Sequence, residues 1–289
     1  MTPNVRGALL MVASMAAFTI NDALVKLVGQ SIPLFQLVAM RGALATVLVF
    51  ILARHLGALH IEFPRHDRWL IIFRCVAELV ATFFFLTALM HMPLANVTAV
   101  LQALPLTVTL GAALFFGEVI GWRRIAAITL GFVGMLLIVR PGPEGFSIYA
   151  IYALVAVASV TVRDLITRRM SAEVPSMVVT LATSLSITLA ATAASLIEGW
   201  APVSTSSGAM VAGAAVFVLM GYLFSVMVMR VGEIGFVAPF RYSSLIWALG
   251  LGWAVFGDWP DAITMLGAVL VVGAGMFTLF RERSRHADE

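Results

Sequence analysis

The stretch Ala16-Ala17-Phe18-Thr19-Ile20-Asn21-Asp22, followed by Lys26 and Pro33, has a later counterpart in Arg163-Asp164, followed by Arg168 and Pro175, at an offset of 142 residues. Gly117-Glu118 matches Gly257-Asp258 at an offset of 140. A match held over this much chain marks a duplicated unit. We read residues 1–140 as a first repeat and 141–289 as a second, ending in a short tail. Each repeat holds five apolar runs. An odd number of crossings turns the second copy upside down relative to the first, a construction that lets two halves exchange inward-open and outward-open states.

The runs themselves are Arg6 to Val28, Pro33 to Ala53, Arg68 to Met90, Leu94 to Phe116, Trp122 to Val139, Phe146 to Thr167, Pro175 to Ile197, Gly208 to Met229, Ile234 to Phe256 and Pro260 to Phe280. A helix needs about 20 apolar residues to cross a hydrocarbon layer of ~30 Å. Composition agrees, with 61% hydrophobic residues, 11% charged and a mean hydropathy of +1.02, where a soluble domain has roughly 45–50% and about 25%. The reading is therefore an all-α integral membrane protein of ten spans. Only the connections Arg54 to Asp67 and Glu198 to Ser207 have much length of their own. Arg6 ahead of an apolar stretch resembles the start of a secretory signal, but the stretch is too long and runs into Asn21-Asp22, so it is expected to be retained.

With the N-terminus inside, twelve arginines fall on the inner side, against Lys26 and Arg140 outside, and cytoplasmic loops carry the basic excess. Both termini are expected to be cytoplasmic. The pI of about 9.5 does not point to nucleic acid, because the basic residues are dispersed rather than gathered. Cys75 is the single cysteine, which excludes an intrachain disulfide.

Charges inside spans need partners or water, and seven stand there: Asp22, Arg41, Arg74, Glu78, Arg163, Asp164 and Arg241. Arg74 and Glu78, spaced i and i+4, are expected to pair on one helix face; the functional alternative gives Glu78 to substrate or a coupling proton. Asp22 and Asp164 sit near opposite membrane faces, as gates would, with Arg41 and Arg241 as their expected partners. Arg163 competes for Asp164, and static pairing that only fixes helix register is the alternative for the whole set. Arg41 and Arg74 join the two aspartates as gating or coupling candidates. On the ninth span, Pro239 frees a backbone carbonyl beside Arg241, Tyr242, Ser244 and Trp247. A helix broken there could hold a flat polar ligand, opposite Gln102 on the fourth span, with Tyr222 completing the wall. The substrate-binding candidates are thus Glu78, Gln102, Tyr222, Arg241, Tyr242, Ser244 and Trp247.

The two five-span halves, Asn21-Asp22 closing the first span, and Gly117-Glu118 followed by Trp122 resemble the EamA branch of the drug/metabolite transporter superfamily. That resemblance implies a carrier in the cytoplasmic membrane of a bacterium, with a central cavity lined mainly by the first, third, fourth, sixth, eighth and ninth helices. Arg6 to Leu10 and Ala16 to Asp22 are most similar to riboflavin transporters, implying riboflavin uptake; other members export amino acids, metallophores or drugs. Expected partners are a small-molecule substrate and the lipid bilayer, with no nucleic acid, no cofactor and no metal; a homodimer is left open. No zinc-protease motif, nucleophile elbow or phosphate-cradling loop occurs, and the histidines, His60 among them, lie in loops or at the tail, so the chain does not read as an enzyme. A channel would leave the inverted halves unexplained.

Overall fold

Proline and glycine punctuate a chain that is otherwise helix-forming throughout. The computed structural model describes residues 2–55, 57, 64–117, 121–140, 147–171, 173–231 and 234–287. Glu118, Phe146 and His60 lie outside the described residues, as do the side chains of Arg124, Arg230, Arg281, Arg283, Arg285 and His286. The helices are α1 (Pro3–Val28), α2 (Leu34–His55), α3 (Arg65–His91), α4 (Leu94–Leu101), α5 (Leu104–Phe116), α6 (Trp122–Val139), α7 (Ile148–Arg168), α8 (Ser176–Glu198), α9 (Thr205–Val231), α10 (Ile234–Val237), α11 (Ser243–Phe256) and α12 (Ala262–Ala287). A 3-10 turn over Ala238–Tyr242 joins α10 to α11. No strand occurs among the described residues.

Starts and stops follow local chemistry. Thr2 caps α1 by accepting the Val5 amide, with Pro3 in the first turn, where its missing N–H costs nothing. Pro33, Pro64, Pro93 and Pro175 each stand just ahead of a helix. Gly117 and Gly257 end α5 and α11 at φ +69° and +70°, a left-handed conformation open to glycine without strain. Asp261 caps α12 by accepting the Thr264 amide at 2.9 Å.

Seven segments are individually long and apolar enough to cross a membrane: α1, α2, α3, the α4–α5 stretch, α7, α8 and α9. Shorter apolar stretches lie in α6 and α12. The ninth apolar run is broken by the 3-10 turn, as Pro239 led us to expect, and the fourth is broken as well, at Gln102-Ala103 between α4 and α5. Large apolar side chains such as Leu114, Trp122, Ile197 and Ile246 stand on the outer surface, where lipid replaces water as solvent. Hydroxyls on the spans are absorbed locally. On α8, Thr180, Thr183, Ser186, Thr188 and Thr192 each donate to the carbonyl four residues earlier.

Helices pack mainly as α1 with α9, α3 with α7, α2 with α8 and α6 with α12. Lesser contacts join α1 to α11, α5 to α7, α2 to α9 and α3 to α8. One apolar core gathers Val25, Val28, Leu37, Leu89, Leu94, Val211 and Ala248. Another gathers Val97, Val100, Ile138, Val157 and Val271. The seam of α6 on α12 brings two backbones together. A Cβ on Gly134 would lie 2.7 Å from the Gly267 carbonyl oxygen, and one on Gly267 would lie 2.5 Å from that of Gly134. Small residues are what allow helices to approach so closely in lipid.

Candidate functional site

Charge and cavity coincide between α2, α3, α7, α8 and α9. A hollow of about 160 Å³ is faced by Arg41, Arg74, Glu78, Arg163, Thr183 and Tyr222. Its centre is a shared guanidinium. Arg163 Nη1 donates to Glu78 Oε2 at 2.8 Å, and its Nε and Nη2 donate to Asp164 Oδ1 at 2.9 and 2.8 Å. The expected helix-face pair of Arg74 with Glu78 is therefore not made. Glu78 turns across to α7, and Arg74 donates instead to the Thr167 hydroxyl at 3.0 Å and to the Thr183 hydroxyl. Asp164 likewise takes its immediate neighbour Arg163 and not Arg241. Arginine is long enough to fold back along the helix, which the poor facing of adjacent positions had argued against.

Asp22 and Arg41 are linked through Asn21. Arg41 Nη1 donates to Asn21 Oδ1 at 3.0 Å, and Asn21 Nδ2 donates to Asp22 Oδ1 at 2.9 Å. Tyr222 closes the hollow from α9, its ring edge-on to Phe18 at 5.2 Å between centroids. Phe18 in turn needs Gly221, where a Cβ would sit 2.8 Å from the ring. The lining comes from the second, third, sixth, seventh and eighth apolar runs. Of the set implied by resemblance, the third, sixth and eighth contribute; the first, fourth and ninth do not face this hollow.

The remaining candidates gather elsewhere. Gln102 Nε2 donates to Ser244 Oγ at 2.7 Å, joining the breaks of the fourth and ninth runs. Tyr242 is buried against α12, with its hydroxyl where a Gly275 side chain would be. Arg241 and Trp247 are exposed. Gln102, Arg241, Tyr242, Ser244 and Trp247 thus lie off the charged hollow. Sequence reasoning passed over Asn21 as a bridge and Thr183 as a partner of Arg74; the density of hydroxyls on α8 was the available signal.

Lys26 and Arg168, 142 residues apart, each lie over a phenylalanine ring. Lys26 Nζ sits 5.5 Å from the Phe256 ring centroid and donates to the carbonyls of Leu89 and Met92 at 2.7 and 2.6 Å. Arg168 lies 5.6 Å from the Phe116 ring centroid. Lys26 is buried and Arg168 exposed.

Apolar spans around a charged hollow define a multi-pass membrane protein. Residues 5–140 match the model of the EamA-like transporter family, and the relatives that align with nearly the whole chain are membrane transporters. The chain is 28% identical to the pseudopaline exporter of Pseudomonas aeruginosa, over 93% of this chain and 94% of that one. It is 22% identical to an S-adenosylmethionine uptake transporter of Rickettsia prowazekii, over 96% and 94% of the two chains. A riboflavin transporter of Rhizobium johnstonii is 24% identical over 76% of this chain and 73% of its own. A crystal structure of a protein 18% identical aligns over 98% of this chain and 99% of that one, with a TM-score of 0.67, so the fold is shared.

Proposed function

We propose that this protein is an alternating-access carrier of a small organic metabolite in the bacterial cytoplasmic membrane. In this reading it has ten spans in two inverted five-span repeats, 1–140 and 141–289, and both termini in the cytoplasm. The single observation that carries the reading is the exchange pattern of the packing. Renaming each run by its partner in the other repeat turns α1 with α9 into α7 with α3, and α1 with α11 into α7 with α5, while α2 with α8 and α6 with α12 map onto themselves. Side chains follow suit: Thr46 meets Thr188 at 3.1 Å and Gln102 meets Ser244 at 2.7 Å, each pair 142 residues apart. A two-fold axis through those contacts accounts for all of these matches.

Two substrate readings are supported. Riboflavin uptake rests on the opening helix and on the riboflavin transporters among the relatives. Export rests on the pseudopaline exporter, which matches with higher identity over more of the chain. The test starts from Cys75→Ser, which removes the only cysteine. Single cysteines beside Asp22 and beside Asp164 should then label with a membrane-impermeant maleimide from opposite faces of the membrane. Labelling from one face would end the inverted arrangement. Proteoliposomes holding unlabelled riboflavin should accelerate entry of labelled riboflavin if the flavin reading holds; absence of this counterflow leaves the export reading.

A further inference from the structure

We propose that the charged hollow binds the carboxylate of a small amphipathic metabolite, received by Arg41 and Arg74, with Glu78 opposite for a cationic group such as an ammonium. This rests on the carrier reading and names the substrate class of the same site. Three guanidiniums face the hollow and only one carboxylate, that of Glu78. Arg163 is committed, since its fork already holds Glu78 and Asp164. Among the described residues Arg74 has hydroxyl partners, Thr167 and Thr183, and Arg41 touches the amide oxygen of Asn21, which stands between it and the Asp22 carboxylate. Among the described residues neither Arg41 nor Arg74 is in an ion pair. A guanidinium offers five donors. Most of those on Arg41, and some on Arg74, remain unspent, and none is buried without a partner, so the hollow itself is what they face.

A cation held within the membrane without a carboxylate is costly unless hydrated or paired by a ligand, and an arginine fork matches a planar carboxylate in shape as well as charge. A phosphate dianion would bring a second negative charge against Glu78, which fits less well. The rest of the wall mixes apolar Ala45, Val49, Ile187, Val218 and Leu219 with the hydroxyls of Thr180, Thr183, Ser184 and Tyr222. Ile187 also borders a neighbouring apolar hollow of about 250 Å³ beside Phe35 and Phe83. The ligand therefore needs an apolar body behind its charged head. At about 160 Å³ the hollow is smaller than the roughly 300–1,000 Å³ usual for drug-sized ligands. An uncharged flavin would give the arginines no charged partner.

The test uses the full chain in lipid nanodiscs and probes that differ only in the carboxylate: leucine against isopentylamine, phenylalanine against phenethylamine, and S-adenosylmethionine against its decarboxylated form. Phenyl phosphate and riboflavin complete the set. In at least one pair, only the carboxylate-bearing member should raise the melting temperature and show counterflow in proteoliposomes. Arg74→Gln and Arg41→Gln should each weaken that binding about 10- to 100-fold. Glu78→Gln should weaken leucine more than isocaproate, which lacks the ammonium. The proposal fails if no pair is discriminated, if phenyl phosphate binds more tightly than every carboxylate, or if Arg74→Gln binds as the unaltered chain does. The wild-type comparison stands even where a variant does not fold. Riboflavin counterflow undiminished in both arginine variants would overturn the proposal and leave the carrier reading intact. Carboxylate binding without counterflow would do the reverse.

Discussion

Arg163 holds two carboxylates at once, and that sharing makes a prediction separable from transport. Glu78→Gln leaves the guanidinium with Asp164, and Asp164→Asn leaves it with Glu78; neither strands it. Both together do. Residues in one charged network couple by about 0.5–3 kcal/mol, so the double variant should lose more stability than the two single losses added, by an amount in that range. Thermal or denaturant unfolding of the four proteins in one detergent measures it; simple additivity would mean that Arg163 is not shared. The same cluster marks how far single residues could be understood from sequence. Arg74 and Glu78 are four apart on one helix and suggested each other, whereas Glu78 and Arg163 are 85 positions apart. No spacing rule reaches across two helices, and the number of charges within spans was readable where their partners were not.

At the scale of elements, Pro239 announced a broken ninth run because it removes a donor and frees a carbonyl. The break at Gln102-Ala103 was less legible. Pro105 stands in the first turn of α5, where a missing N–H is harmless, so it reads equally as the start of a helix and as an interruption. The two breaks meet through Gln102 and Ser244, which the offset of 142 allowed to be seen only once the pairing of helices was known. The start of α12 offers a second test. The Thr264 amide above all, helped by Arg140 against the opposing cost of desolvation, holds the Asp261 carboxyl below the usual carboxylate range. A carboxyl lowered in this way stabilises the fold above its ordinary pKa near ~3.9 and loses that contribution as the pH falls through the lowered value. Asp261→Ala should cost about 0.5–2 kcal/mol at neutral pH, the usual penalty of a lost cap, and Asp261→Asn less, because the amide oxygen still caps. The difference between Asp261 and Asn should shrink in strong acid. Melting curves at neutral pH and at about pH 3 would show it.

Across the whole molecule, the apolar runs were written plainly, because lipid demands long apolar stretches, and the offsets of 140 and 142 between paired motifs stand in the sequence itself. What the runs could not say was which of them approach one another, since every span is apolar on most sides. The seam between α6 and α12 is the clearest case. Gly134 and Gly267 look like ordinary membrane glycines until their backbones are seen in contact. Gly134→Ala should push the helices apart and lower the melting temperature. The same change at Gly117 should not disturb packing, because nothing lies within 4 Å of its added carbon; it would only strain a left-handed turn.

That seam also has a mechanical meaning. Two backbones in such close contact have nothing soft to compress, so in the carrier proposed above α6 with α12 is the natural fulcrum. A covalent clasp placed there should leave turnover running.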